Sequence, residues 1–506
     1  MVNKRKLSAG PFSPGQQWGH LVKTKDRWGL MVARWFLLFF FTAGYLSTRQ
    51  VFASHGLGYF LLSLGSLIAC ELLLTRLHAS IRLTFPIWIL LAIFCAGYYF
   101  QFYLLASDPM VSTGQVVVSR DAGESLLLNV YATTALGFCA FCLTAWWMLG
   151  RNRRARNIPV VRGGTASLPA QDAESLCAGL LVTILLLELI TGYVSWAAHI
   201  AVMGAEIVAL PYRMAGVVFY TRTVLLPALL LLLVCMADQH GLKRRFQLGV
   251  LLLMIHGVSD AILRSSRSSL VFMFLALMFL VILTGRMNRR RWRFIAACLV
   301  LSLLLFPVLT AYRYVRGGSN ISDIVAPLRE GIGSTYLSEN FGEIVLDTWA
   351  TLVFRATGMN SLLEIAGSGS GPLGFHRVNG VTPFFNEEIM NVPADAVTSY
   401  APSLIGWFYL VGGNTAVVFG ILAFVAAVQA IWQALASSNL HARPIAQALF
   451  LLLLVYAATD GVLDLLFWWV LVAVVSVAAA ELLLRSSRPR PVIAPTLGNS
   501  AYGRHL

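Results

Sequence analysis

Charged residues are scarce in this chain. Asp, Glu, Lys and Arg make up 12% of its 506 residues, whereas 58% of the residues are hydrophobic and the mean hydropathy is +0.73. A soluble protein of this length needs a larger polar surface, so that class is excluded. Apolar runs of about 18–22 residues recur along the sequence, which is the length that crosses ~30 Å of hydrocarbon. No run alternates apolar and polar residues as a lipid-facing barrel strand does. The sequence therefore predicts an all-α, polytopic integral membrane protein.

Acidic residues are fewer still, with 23 Asp and Glu against 38 Lys and Arg and a net charge of +15. In a membrane protein such an excess is typical of cytoplasmic loops. We therefore expect no nucleic-acid partner. The seven cysteines all lie in or near apolar runs, and a nucleotide-binding loop and an HExxH motif are absent. We expect no disulfide framework, no metal site and no cofactor.

Twelve runs are predicted to span the membrane. They lie near 29–48, 56–75, 85–106, 126–149, 176–198, 215–237, 246–263, 268–285, 294–311, 413–435, 444–459 and 462–484. The predicted organisation is a tail at 1–28, spans one to nine within 29–311, a large loop at 312–402, spans ten to twelve within 403–484, and a second tail at 485–506. The first tail is basic and has no small-residue cleavage site near the first run, so it precedes a signal anchor.

The distribution of Lys and Arg predicts the orientation. With the N-terminus inside, the short inner loops include "RNRRARN" and "GRMNRRRWR", whereas short outer loops such as "SDPMVSTG" have no basic residue. Most of the 38 basic residues then lie on the inner side. This placement predicts cytoplasmic termini and one large outer loop.

Arginine is depleted on the predicted outer side, yet R-x-x-R occurs there twice, each time where a span ends. The outward arginines of the C-terminal half are Arg264, Arg267, Arg313, Arg316, Arg355 and Arg377. Within a helix, an i,i+3 pair would place both guanidinium groups on one face. The planar guanidinium suits phosphate, so one hypothesis is a site for a lipid-linked diphosphate. The alternatives are snorkelling to lipid headgroups and local pairing, for example of Arg264 with Asp260.

The large loop contains a Gly/Ser stretch, "GSGSG" at Gly367–Gly371, followed by polar residues. They are His376, Arg377, Asn386, Glu387, Glu388 and Asp395. A hinge beside polar groups above a membrane cleft suits a lid that excludes water. The alternative is that these residues solvate an exposed loop. Within the spans, Glu71, Glu188 and the pair His256 and Asp260 are further functional candidates, although they are too sparse for a regular relay.

Four stretches resemble one protein family: "LRSSRSSLVFMFLAL", "YRYVRGG", "FRATGMNSLL" and "TSYAPSLIGWFYLVGGNTAVVFGILAF". They resemble the arginine-bearing and P-S-L-I stretches of bacterial oligosaccharide repeat-unit polymerases of the O-antigen (Wzy) type, within the O-antigen polymerase and ligase superfamily. The resemblance covers about the C-terminal half. Asn360 stands where that pattern has an acidic residue.

The resemblance implies a GT-C-like membrane glycosyltransferase of the bacterial inner membrane, with its active site in the periplasm. It would polymerise undecaprenyl-diphosphate-linked oligosaccharides, as donor and acceptor, into an O-antigen, capsule or exopolysaccharide. Membrane lipids, a chain-length regulator and a flippase would be its partners. The six outward arginines would bind the diphosphates and stabilise the charge that develops as the glycosidic bond breaks.

A base must take the proton of the acceptor hydroxyl. His376 is the first candidate, because its neighbour Arg377 favours the neutral imidazole, and Glu387 is the second. Tyr400, Trp407 and Tyr409 are candidates for stacking against sugar rings, the alternative being aromatic anchors at the interface.

Three other functions stay open. An O-antigen ligase would use a lipid-A core sugar as acceptor. A transporter of lipid-linked or anionic solutes is less favoured, because the polar groups gather at one membrane face. A scaffold for an export machine would tolerate loss of Arg267 or Arg316, whereas an enzyme would not.

Overall fold

A computed structural model describes most of the chain, and all of its regular elements in this part are helices. The described residues are 14–77, 81–107, 123–151, 170–202, 210–266, 268–284, 289–317, 326–327, 329–330, 333, 342, 358–393, 400–464 and 466–486. The α-helices are α1 Pro14–Thr48, α2 Gly56–Arg76, α3 Ile81–Phe94, α4 Gln101–Ser107, α5 Glu124–Arg151, α6 Ala170–Ala197, α7 Met214–Tyr220, α8 Leu226–Gln239, α9 Lys243–Arg264, α10 Ser268–Thr284, α11 Arg289–Gly317, α12 Met359–Gly367, α13 Val381–Phe384, α14 Leu404–Ser437, α15 Arg443–Asp460 and α16 Leu466–Ser486.

Eleven helical stretches among these residues are long and apolar enough to cross a membrane. Each of the twelve predicted spans falls on one of them or on α10, so the all-α, multi-pass prediction is confirmed. The count differs because α10 has only 17 residues, or ~26 Å at 1.5 Å per residue, which is short for ~30 Å of hydrocarbon. A second difference concerns α14, which begins at Leu404, whereas the predicted span began near 413.

Two of the spans contain π-helical insertions. Cys95–Phe100 joins α3 to α4, and Thr221–Leu225 joins α7 to α8. A π-helical turn adds a residue to the ladder and is frequent at functional sites. The second insertion carries Arg222, which is described below.

The main core contains buried tyrosines whose hydroxyl groups find partners on neighbouring helices. Tyr59 lies 2.6 Å from the Thr48 hydroxyl, Tyr131 lies 2.8 Å from Ser63, and Tyr99 lies 2.7 Å from Ser66, in each case oxygen to oxygen. A phenol buried without a partner would be costly, so the small serines of α2 both allow close packing and accept or donate the bond.

The described part of the large loop, 358–393, packs on the bundle. Its helix α12 contacts α5 and α14. A second core forms at this contact from Ile365, Val381, Phe385, Trp407, Leu410 and Val411. This part of the loop is therefore a docked layer, and burial of its apolar face stabilises the docking.

A break in α14 explains how the layer is held. Gly412 and Gly413 have non-helical backbone angles, which removes the helical partners of the preceding carbonyl groups. The N–H of Leu373 donates to the Leu410 carbonyl at 2.7 Å, and the N–H of Gly374 donates to the Val411 carbonyl at 3.0 Å. The loop thus satisfies carbonyl groups that the break leaves without helical partners.

The start of α14 is held against the end of α15. The Ser403 N–H donates to the Asp460 carbonyl at 3.0 Å. Gly461 follows with a φ of +66°, and a Cβ there would overlap the Ser403 backbone. Glycine is required here for two reasons, because it adopts positive φ without strain and leaves room for a second backbone.

We expect Gly461→Ala to lower the free energy of unfolding by about 3 kcal/mol or more, since strain and overlap add. Unfolding in mixed detergent micelles measures this. Gly241→Ala is the matched control, because Gly241 has a φ of +71° but nothing near its missing Cβ. It should cost only about 1–2 kcal/mol. Equal losses in both variants would contradict the role of the Ser403 contact.

Candidate functional site

Several helix ends meet around Arg264, the last residue of α9. Its guanidinium lies 4.6 Å from the centroid of the Phe219 ring, and that ring lies 5.9 Å from the Trp469 ring. Trp469 stacks on Tyr456 of α15 at 4.8 Å between ring centroids. We call Phe219, Tyr220, Tyr456 and Trp469 the aromatic cluster. All four side chains are partly exposed at the surface of the described helices.

Arg264 is paired locally, as one of the alternatives from the sequence predicted. Its Nη1 donates to Asp260 Oδ2 at 2.9 Å, and its side chain is 12% exposed. Its Nε is buried and has no hydrogen-bond partner among the described residues. This buried donor is out of reach of a ligand, so an anion would have to meet the exposed part of the guanidinium.

The helical condition for a shared face is not met by the first R-x-x-R pair. Helix α9 ends at Arg264, and Ser265 adopts a left-handed conformation with a φ of +52°. Arg264 and Arg267 therefore do not share a helical face, and Arg267 itself lies outside the described residues. The second pair, Arg313 and Arg316, does fall within α11, although its side chains are not described. Arg355 also lies outside the described part.

A buried charge network connects Arg264 to the interior of the bundle. Arg222 is 1% exposed, and its Nε donates to Asp260 Oδ1 at 3.1 Å. Its Nη2 donates to Glu188 Oε1 at 3.1 Å. His256 Nδ1 lies 2.7 Å from Glu188 Oε2. Asp260 therefore bridges two arginines, and we call Glu188, Arg222, His256, Asp260 and Arg264 the charge network. Each charge in this set has a partner, which offsets the cost of removing it from water.

The sequence identified four of these five residues, but it missed Arg222 and the connection. The signal was a lone Arg in the apolar run "FYTRTVLLPALLLLL". An ionised residue inside a span is a functional candidate that requires a partner, and the acids at 188 and 260 were the available partners.

His376 and Glu387, the first and second candidates for the base, line the same depression. An open depression of about 410 Å³ is lined by Leu373, His376, Arg377, Asn379, Gly380, Pro383, Phe384, Glu387 and Glu388. His376, Arg377 and Glu387 are all exposed there. The structure thus brings together both proposed bases and one proposed phosphate ligand, whereas Asp395 lies outside the described part.

Thr382 fixes the depression to the bundle. Its hydroxyl donates to Asp464 Oδ1 at 2.8 Å, and its N–H lies 3.3 Å from Asp464 Oδ2. Asp464 belongs to the turn between α15 and α16, the two helices that carry Tyr456 and Trp469 of the aromatic cluster. The depression is therefore attached to the bundle between these two helices.

The three predicted sugar-stacking residues are placed differently from one another. Trp407 is 6% exposed within the second core, with its ring edge-on to Phe408 at 5.3 Å. Its ring faces are covered by packing, so this ring is not open to a sugar. The hydroxyl of Tyr409 accepts from Asn129 Nδ2 at 3.5 Å, and Tyr400 is partly exposed. The sequence missed the aromatic cluster, because its members are joined only by folding.

One further acid lies in the docked layer. Glu364 of α12 is half-buried, and this burial raises the pKa of its carboxyl above its usual value. It therefore holds a proton more readily than an exposed glutamate.

Comparison with protein-family models, with curated proteins and with solved structures finds no match to this chain.

Proposed function

We propose that the protein is a membrane glycosyltransferase that joins lipid-diphosphate-linked oligosaccharide units into a surface polysaccharide. The observation that carries the proposal is Arg264. Its side chain is 12% exposed, and its guanidinium lies 4.6 Å from the Phe219 ring of the aromatic cluster, where its span ends. Guanidinium groups bind diphosphate, and aromatic faces bind sugar rings, so both parts of such a substrate have a matching surface.

The chemistry is a single displacement. The bond between the first sugar carbon of the growing chain and its diphosphate oxygen breaks, and its electron pair leaves with the diphosphate. The acceptor hydroxyl oxygen forms the new glycosidic bond, and its proton passes to a base. Arg264 stabilises the charge that develops on the leaving diphosphate. His376 or Glu387 in the depression is the proposed base, with Arg313, Arg316, Arg355 and Arg377 as further proposed phosphate ligands.

The proposal includes orientation. The Arg264 end of the bundle would face the periplasm of a bacterial inner membrane, and both termini would be cytoplasmic. The excess of Lys and Arg in the short loops at the other end supports this orientation. A reporter fused after Gly369 should read as periplasmic, and a cytoplasmic reading would overturn this orientation.

A transporter is the second candidate, because the charge network penetrates the bundle. Along α9, however, the buried residues on the far side of His256 are Phe246, Gly249, Val250 and Leu253. The polar path therefore stops within the described part of α9, whereas a solute needs polar groups through both leaflets. An O-antigen ligase shares the donor chemistry and differs in the acceptor.

The deciding experiment is reconstitution of the full-length protein in lipid bilayers with a synthetic lipid-diphosphate oligosaccharide. Products longer than one unit support a polymerase. Transfer that occurs only to an added lipid-A core supports a ligase, and no transfer to either acceptor overturns the proposed function.

The identity of the base gives a separate prediction. We expect His376→Gln to lower kcat by about 100-fold or more, since a general base contributes at least that much. Glu388→Gln removes a carboxylate from the wall of the same depression and is the matched control, with little change expected. If Glu387→Gln alone lowers kcat, the base is Glu387, and unchanged kcat in both variants excludes the depression from the chemistry.

A further inference from the structure

The two ring nitrogens of His256 each face an oxygen atom, one of the Glu188 carboxyl group and one of the Arg222 carbonyl group. Its Nδ1 lies 2.7 Å from Glu188 Oε2, and its Nε2 lies 2.9 Å from the carbonyl oxygen of Arg222. An ionised carboxylate and a carbonyl group only accept hydrogen bonds, whereas a neutral imidazole carries one N–H. Both bonds form only if the His256–Glu188 pair holds one additional proton.

The sequence explains why the Arg222 carbonyl is free to accept. In the π-helical stretch Thr221–Leu225, the N–H of Leu226 donates to the Thr221 carbonyl. The next residue in this i→i+5 pattern is Pro227, which has no N–H to give to Arg222. His256 Nε2 occupies the position of that missing donor. A π-helical turn and a proline together thus create the acceptor that His256 meets.

The additional proton sets the charge of the network. The charged groups that contact His256 or its direct partners are Glu188 of α6, Arg222 of the π-helical stretch, and Asp260 and Arg264 of α9 itself. Helix α11, which packs on α9, carries Arg313 and Arg316 in its last turns, and their side chains are not described. Ser269 of α10 donates to Asp260 at 2.6 Å and carries no charge. With the proton, the five described members have a net charge of +1. Without it, two arginines and two carboxylates cancel.

We propose that the His256–Glu188 pair is a proton-binding site whose occupancy raises the affinity of the Arg264 end for a diphosphate. The second half of this proposal rests on the proposed function. His256 precedes Arg264 by eight residues, which is ~12 Å along a helix. At an effective dielectric constant of about 20, one unit charge at that distance changes anion affinity by about tenfold.

The proton site is tested without any substrate. Nitrogen-15 NMR of histidine-labelled full-length protein in lipid nanodiscs distinguishes a doubly protonated ring from either neutral tautomer. The His256 signal is assigned by its loss in His256→Gln. A doubly protonated ring near neutral pH supports the site. A singly protonated ring also supports it if Glu188 holds the second proton and loses it as the pH rises. The site is overturned if the ring carries one proton and infrared difference spectra show that the Glu188 carboxylate is ionised at every pH measured.

Two isosteric variants test the coupling and have opposite expected effects. In Glu188→Gln the amide can donate to His256 Nδ1, so no extra proton is needed and the net charge stays +1. In His256→Gln the charges cancel at every pH. The probe is inorganic pyrophosphate, titrated from about pH 5 to about pH 8, where histidine ordinarily changes charge.

We expect the two variants to differ about tenfold in affinity, and wild type to bind like Glu188→Gln at every pH where NMR shows the additional proton bound. Ratios between proteins at each pH cancel the ionisation of pyrophosphate itself. Equal affinities of the two variants, or a wild-type affinity that parallels His256→Gln while the proton is bound, overturn the coupling. Failure of pyrophosphate to bind wild type overturns the coupling together with the diphosphate role of Arg264, whereas the NMR result is unaffected.

Discussion

Arg264→Ala is expected to lower chain growth by at least about 100-fold, since removal of one preorganised donor to a developing anion has effects of this size. The protein should still fold, because Asp260 keeps its hydrogen bonds from Arg222 at 3.1 Å and Ser269 at 2.6 Å. Arg264→Lys should recover only part of the activity, since an ammonium group lacks the planar fork. Chain growth by the reconstituted protein measures the effect.

Arg76 provides the matched control for that result. Its guanidinium also lies over an aromatic ring, that of Trp146 at 4.9 Å, but at the opposite end of the bundle. Arg76→Ala should leave chain growth within about twofold, because an exposed cation–π contact contributes only ~1 kcal/mol to stability. Full activity of Arg264→Ala would show that Arg264 only neutralises Asp260.

The second large effect concerns stability. We expect Arg222→Met to lower the free energy of unfolding by about 3–5 kcal/mol, because Glu188 and Asp260 lose their shared cation in the interior. Unfolding of the purified protein in mixed micelles measures this. The triple variant Arg222→Met, Glu188→Gln and Asp260→Asn removes the stranded charges and should recover most of the loss.

The comparison for Arg222 is Arg485, whose side chain is 61% exposed and whose Nε donates to Glu481 at 2.8 Å. Glu481 keeps a bond to His441, so Arg485→Met should cost less than about 1 kcal/mol. If Arg222→Met lowered the free energy of unfolding by as little as Arg485→Met, water or another group would have to compensate Glu188 and Asp260.

The membrane spans were predictable from the sequence, because hydropathy is a local property. Each apolar run of sufficient length satisfies its own backbone hydrogen bonds as a helix, whatever its neighbours are. The start of α14 was not predictable in this way, since it depends on Ser403 meeting Gly461 across the chain. Trp407 was misjudged for the same reason, because its burial is created by the docking of 358–393.

The residues of the candidate site also divide into those that local sequence marks and those that only folding brings together. Arg264, Asp260 and His376 were found because each is a polar residue in an informative local setting. The aromatic cluster unites α7, α15 and α16, which are distant in sequence, and nothing local marks its members. Arg222 lay between these cases, since its position in an apolar run was visible but its partners were not.

The backbone hydrogen bonds of Leu373 and Gly374 limit how the docked layer can move. Helix α12 is docked before the glycine-rich stretch, and the two N–H donors anchor the chain after it. Gly367–Gly371 therefore cannot act as a hinge that moves the depression away from the bundle. Because the chain is held on both sides of them, these glycines form a short connection between two fixed segments, and their conformational freedom stays local.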